Sequence, residues 1–246
     1  MSRPCAILVA LIALVRPTEA APSVSVLFVG NSLTQANDLP AMFKQFVDGS
    51  PLHQGVTTRA LTPGGALLYD HWKKGEALFA LREQRPNFLV LQGQSTEPLF
   101  APQNFRYYAG LFKAEADRAN TATVLLSTWA RPANDPYYKH PSSGGSPEEM
   151  QTRLNAAYAS LAHDLGIPLA PVGVAFEHVH RDAPNIELLD GTQHPSRAGT
   201  YLAAATLFRT LFSTSAVNSS YYGGLPKETA LTLQRIAATI PLTEQP

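Results

Sequence analysis

Apolar and polar positions along this chain follow two periods. Residues 24–29 begin by alternating Ser with β-branched side chains and end as an unbroken apolar run, which predicts a buried first strand stopping at Gly30. Short apolar runs at 56–61, 87–91, 123–127 and 167–170 predict four more strands. Between them the stretches 38–48, 76–83, 105–118, 148–165, 197–212 and 227–240 read as helices. Leu154, Tyr158, Leu161 and Leu165 share one helical face, and Tyr201, Leu202, Ala205, Phe208 and Phe212 share another. Asp38 is placed to cap a helix whose Pro40 lies in the first turn, where a missing N–H does no harm. Strands and helices alternate over short connections, and the strands are apolar. This order predicts an α/β fold, a three-layer α/β/α sandwich around a five-stranded parallel sheet. In such a sheet the active site lies outside the carboxyl ends of the strands.

Two stretches stand outside the pattern. Arg3 precedes an apolar run at 6–15, and a polar stretch at 16–19 leads into Ala20-Ala21. That is the form of a secretory signal peptide over residues 1–20, leaving 21–246 as one domain in a secreted or periplasmic protein. The run is too short to span a bilayer, which takes about 20 residues, so no membrane span is expected in the mature chain. Cys5, the only cysteine, falls inside the leader. The mature chain then has no thiol, which excludes a disulfide, a cysteine nucleophile and a zinc-thiolate site. The second stretch, 131–147, holds four Pro, two Gly, Tyr137 and Tyr138 without periodicity; a loop of that length in a compact domain is usually functional or disordered.

Composition narrows the partners. Lys+Arg and Asp+Glu are 19 each, so the formal charge is zero, and neither nucleic acid nor an anionic membrane is expected as the main partner. No Gly-rich phosphate loop is present.

The chemistry concentrates after the strands. Gly30-Asn31-Ser32-Leu33-Thr34 leaves the first strand and would expose a hydroxyl at the carboxyl edge of the sheet. Asp190-Gly191-Thr192-Gln193-His194-Pro195 precedes a long helix and sets a His near an acid, as a general base requires. Taken singly, each also reads as an ordinary turn serine or loop histidine. Together they resemble the SGNH hydrolases, the GDSL-like esterase superfamily. Gly30-Asn31-Ser32-Leu33 stands where that family carries Gly-Asp-Ser-Leu, and His194-Pro195-Ser196 stands where it carries its His-Pro block. Leu91-Gln92-Gly93-Gln94-Ser95 and Gly199-Thr200-Tyr201-Leu202-Ala203-Ala204 look closer still to an uncharacterised bacterial branch. The likeness covers roughly residues 26–212.

The resemblance implies a flavodoxin-like sheet and a secreted serine ester hydrolase without cofactor or metal. Ser32 would be the nucleophile, His194 its base and Asp190 the acid behind the base. The oxyanion would be bound by the N–H groups of Ser32 and Gly65 (alternative Gly64) and by a side-chain amide. For that amide the chain offers Gln92, with Gln94 as the alternative, in a block resembling the Gln-Gly-Glu-Ser of carbohydrate acetylesterases. The implied substrate is a small ester or an acylated carbohydrate. Two features depart from the family: a Gln replaces its Asn, and Asp190 stands four residues before His194 instead of three. The wider spacing leaves a dyad open, with Glu187 and Asp182 as other acids. Asn31, His71, Trp129 and Tyr137 are candidates for contacting substrate. His178 and His180 read as part of a polar surface loop. The same residues also allow a glycan-binding domain without turnover, or an acyltransferase using the same serine.

Overall fold

The computed structural model describes residues 23–242; the expected signal peptide lies outside them. Strand β1 (Val24–Val29) leads into a single helical turn, α1 (Ser32–Gln35), and then α2 (Leu39–Asp48). Strand β2 (Val56–Leu61) is followed by α3 (Leu68–Lys74) and α4 (Glu76–Gln84), and β3 (Phe88–Leu91) by α5 (Glu97–Phe100) and α6 (Pro102–Arg118). Strand β4 (Ala122–Leu126) precedes α7 (Pro147–Leu165), and β5 (Leu169–Ala170) precedes α8 (Val172–Asp182), α9 (Arg197–Phe212) and α10 (Lys227–Thr239). No helix among the described residues is long and apolar enough to cross a membrane.

All pairings are parallel, in the order β2-β1-β3-β4-β5. Side chains alternate across the sheet, and each face builds its own core. Val26, Phe28, Val90 and Val124 pack under α2, α8, α9 and α10, where Phe43, Phe46, Phe176, Tyr201 and Phe208 are fully buried. Leu27, Val29, Leu89, Leu91 and Leu125 pack under α3, α4, α6 and α7, around Phe105, Phe112 and Tyr158. The three-layer expectation therefore holds. The central strands are apolar because both faces are covered, whereas the edge strand β2 is largely exposed and carries Thr57, Thr58 and Arg59.

The departures are local. Residues 177–182 form the end of α8 and not a loop: Phe176 and Val179 bury one face, and His178, His180 and Arg181 lie on the rest. Short helical turns at α1, α3 and α5 carry no full amphipathic period for sequence reading to detect. The Pro-rich stretch 131–147 contains two 3-10 turns tied by Tyr138 Oη to Arg131 O (2.5 Å) and Ser143 Oγ to His140 O (2.7 Å).

Candidate active site

Strand order reverses between β1 and β3, and a crevice opens at that point beyond the carboxyl edge. The chain leaving β1 supplies Ser32, the turn after β2 supplies Gly65, and the segment after β3 supplies Gln94. His194 arrives from the far end of the sequence, on a loop closed by the Leu189–Pro195 bridge and by Asp190 N–H donating to His194 O (3.1 Å).

Ser32 is the first residue of α1, and Asn31 caps that turn by accepting from Leu33 N–H (3.1 Å). The remaining capacity of Asn31 is spent below it, with Nδ2 donating to Ala66 O (3.2 Å) and Oδ1 accepting from Gln92 Nε2 (3.2 Å). Expected as a substrate contact, Asn31 lines the cleft beside Ser32, and its buried amide also braces the Ser32 turn. Gln92 completes the brace. Its Oε1 accepts from Asn31 N–H (3.1 Å) and Thr34 Oγ1 (2.8 Å), and its Nε2 also bonds Gly93 O. Gln92 is 1% exposed and its amide is fully engaged, so it is not the oxyanion donor expected of it. The close packing dictates Gly30: a Cβ there would lie 2.6 Å from Gln92 Oε1 and 2.8 Å from Thr34 Oγ1.

Gln94, the alternative, is the amide at the cleft. Its Oε1 is anchored by Thr96 N–H (2.8 Å) and Thr96 Oγ1 (3.1 Å), and its Nε2 has no partner among the described residues. The backbone N–H of Gln94 donates to Glu97 Oε2 (3.0 Å), a carboxyl that burial raises to about 6. Gly65 occupies the turn closed by Ala66 N–H to Pro63 O (3.2 Å), with φ +72, a conformation that favours glycine. The N–H groups of Ser32 and Gly65 also lack a partner among the described residues. Together with Asn31, Leu33, Ser95, Gln193 and His194, these three donors line a cleft of about 160 Å³. A wider, open hollow of about 620 Å³ is lined by the same Ser32 and His194 together with Gln35, Asn37, Asp190 and Arg197.

His194 Nε2 stands 3.0 Å from Ser32 Oγ. Behind the imidazole, Nδ1 meets Thr192 Oγ1 at 3.0 Å, and Thr192 Oγ1 meets Asp190 Oδ1 at 2.6 Å. The direct contact expected between Asp190 and His194 is thus replaced by a chain of two hydrogen bonds through Thr192. Asn37 fixes the distance between the two halves of the site: its Nδ2 donates to Pro195 O and Thr200 Oγ1, both at 2.9 Å. Neither Thr192 nor Asn37 was singled out from sequence. Thr192 had one signal, its place inside the stretched Asp-to-His interval; Asn37 had none, because its partner is 158 positions away.

Three other expected contacts lie apart from the Ser32 cleft. His71 is buried with Nε2 donating to Gly30 O (2.7 Å), and it borders a separate hollow beside Thr62 and Lys74. Trp129 is 3% exposed, stacked on Phe176 at 4.5 Å, with its Nε1–H donated to Gln193 O (3.1 Å). It supports the His194 loop from behind and borders a separate hollow of about 650 Å³ with Arg131, Phe176 and Leu189. Tyr137 stacks on His140 (5.4 Å) beneath the Arg131 guanidinium (4.9 Å), within the 131–147 stretch.

A doubly covered parallel sheet with a serine and a histidine in contact beyond its carboxyl edge defines an α/β protein of hydrolase architecture. Among solved structures, the chain is similar to a candidate SGNH hydrolase from Slackia heliotrinireducens, with 30% identity over 77% of this chain and 100% of that one and a TM-score of 0.65. The chain belongs to the SGNH hydrolase family. It also shares its fold with a DUF4886 family protein from Bacteroides uniformis (18% identity, 88% and 94% of the two chains, TM-score 0.73). A further likeness is to a catalytic mutant of an acetylxylan esterase from Geobacillus stearothermophilus (14% identity, 76% and 93%, TM-score 0.59). No family model matches the sequence, and no curated protein matches it significantly.

Proposed function

We propose that this protein is an exported serine esterase that removes short acyl groups, such as acetyl, from a carbohydrate or similar alcohol. The observation that carries the reading is the 3.0 Å contact of Ser32 Oγ with His194 Nε2 beside three donors without partners. Ser32 Oγ attacks the ester carbonyl carbon while its proton passes to His194 Nε2, and the carbonyl oxygen takes up the electron pair among Ser32 N–H, Gly65 N–H and Gln94 Nε2. Collapse breaks the bond to the alcohol, which leaves with the proton from His194. Water then attacks the acyl-serine with His194 again as base, releasing the carboxylic acid and restoring Ser32.

The sizes of the two hollows support a short acyl group and a larger alcohol. The cleft of about 160 Å³ that holds the oxyanion donors has room for few carbons, and the open hollow of about 620 Å³, which Ser32 and His194 also line, has the room a larger alcohol needs. The acetylxylan esterase among the structural relatives makes a polysaccharide acetyl ester a reasonable first substrate class. The leader pattern of residues 1–20 supports export.

The test is hydrolysis of p-nitrophenyl acetate, butyrate and octanoate together with labelling by a fluorophosphonate. Wild type is expected to hydrolyse acetate fastest and to label once, at Ser32, and Ser32→Ala to do neither. A wild type that neither turns over nor labels would sink the esterase reading; a preference for octanoate would sink the short-acyl part of it.

A further inference from the structure

Resting on the roles proposed for Ser32 and His194, we propose that Thr192 is a positioning residue of this site: its hydroxyl sets the tautomer of His194 and, among the described residues, is the only link between Asp190 and the imidazole. A threonine hydroxyl has one hydrogen and two acceptor lone pairs. Thr192 Oγ1 makes three contacts within the loop: Asp190 Oδ1 at 2.6 Å, His194 N at 3.1 Å and His194 Nδ1 at 3.0 Å. Asp190 is held below the usual carboxylate range, chiefly by the hydrogen bond from this hydroxyl, so it is ionised at neutral pH and only accepts. The single hydrogen of Thr192 is therefore used on Asp190, and both contacts with His194 must be donated to the threonine oxygen. Nδ1 then carries the hydrogen, which leaves the lone pair of Nε2 facing Ser32 Oγ.

No other described residue contacts Nδ1. The carboxylate of Asp190 is turned onto its own loop, accepting also from Thr192 N–H (2.9 Å). The four-residue spacing explains this. With Asp190 N–H bonded to His194 O (3.1 Å), the three intervening residues arch between them, and the side chain at the top of the arch falls between acid and base. When Ser32 attacks, its proton goes to Nε2 and Nδ1 keeps its own. No proton passes to Thr192 or Asp190; the hydroxyl, polarised by the carboxylate, meets the positive charge that forms on the ring.

Thr192 is exposed on a loop, so Thr192→Val keeps the shape and removes only the hydroxyl. Two readouts are needed: the His194 tautomer from ¹⁵N imidazole shifts without substrate, and kcat and KM on p-nitrophenyl acetate. Wild type and Thr192→Ser are expected to show the Nδ1–H tautomer, because each keeps both the hydroxyl and the carboxylate that takes its hydrogen; Asp190→Asn, whose amide can also donate to Thr192 Oγ1, is expected to show a mixture. Thr192→Val is expected to show a mixture and to lose kcat by about 10²-fold at little-changed KM, within the range of general-base assistance, with Thr192→Ser recovering to within about tenfold of wild type. Unchanged tautomer and kcat in Thr192→Val would overturn the proposal. So would a tautomer lost in Asp190→Asn but kept in Thr192→Val, which would mean direct contact of acid and base. An inactive wild type whose tautomer still depends on Thr192 would overturn the esterase reading and leave the positioning role standing.

Discussion

Two glutamines two positions apart have opposite roles, and the difference lies in what each amide has left to give. The Nε2 of Gln92 is bonded to Asn31 and Gly93 inside the protein; Gln94 lines the cleft, and its Nε2 has no partner among the described residues. Gln94→Ala is expected to lower kcat by roughly 10²–10³-fold, the usual cost of one oxyanion donor, with a loss of stability limited to the Thr96 donors that its Oε1 accepts. Gln92→Ala should do the reverse at first order, losing stability by about 1–3 kcal/mol for each buried group left unpaired. Calorimetry and steady-state kinetics on the pair separate the two. Equal loss of kcat with no loss of stability in Gln92→Ala would return the donor role to that residue.

Among the elements, the catalytic geometry depends on how closely neighbouring segments approach. The β1–α1 turn lies on the amide delivered by β3, and Gly30 is the position where a side chain would not fit. Gly30→Ala is expected to cost about 1–3 kcal/mol by overpacking, read from urea unfolding, because Gln92 and Thr34 must both shift. The link from α1 to the His194 loop is a different matter, since it rests on the two bonds of Asn37 Nδ2. Asn37→Ala should leave the sheet intact but loosen the contact between Ser32 and His194. A fall in kcat of about tenfold, with circular dichroism unchanged, is the expected result, since loss of near-attack alignment is costly even when the fold survives. An unaltered kcat would show that the loop bridge at Leu189–Pro195 holds His194 unaided.

For the whole molecule, two buried titratable groups beside the site make stability depend on pH in opposite directions. Burial lowers the pKa of His71 from its ordinary 6.5, so the unfolded chain takes up that proton first. Its contribution is complete above about pH 6.5 and is lost as pH falls. Burial raises Glu97 from 4.5 to about 6, so the folded chain binds the proton more tightly, and stability falls as pH rises from 4.5 to about 6. Glu97→Gln removes the second effect alone. The stability lost between pH 7.5 and pH 4 should then be larger in Glu97→Gln than in wild type, by about 2 kcal/mol for a shift of this size. Equal losses in the two proteins would show that the Glu97 carboxyl is not perturbed. Export belongs to the same scale: mass spectrometry of protein recovered outside the cytoplasm should give a mature chain beginning at Ala21, and an intact Met1 in that fraction would contradict the leader reading.

Sequence alone was enough for the sheet and for the pairing of Ser32 with His194 as candidates. Strand and helix periods are properties of consecutive residues, and a parallel sheet gathers whatever follows its strands at one edge. The helical end at 177–182 is hidden in the sequence because a polar run with two histidines surrounds the apolar Phe176 and Val179, whose burial only packing against the core decides. The amide at the cleft, the threonine between Asp190 and His194, and the Asn37 tether had to wait for the tertiary structure. Each depends on which hydrogen-bonding capacity remains after neighbours distant in sequence have taken their share. Two glutamines in one pentapeptide are chemically identical until the fold buries one against Asn31 and leaves the other at the cleft. An acid four residues before a histidine likewise says nothing of a hydroxyl between them until the loop is closed.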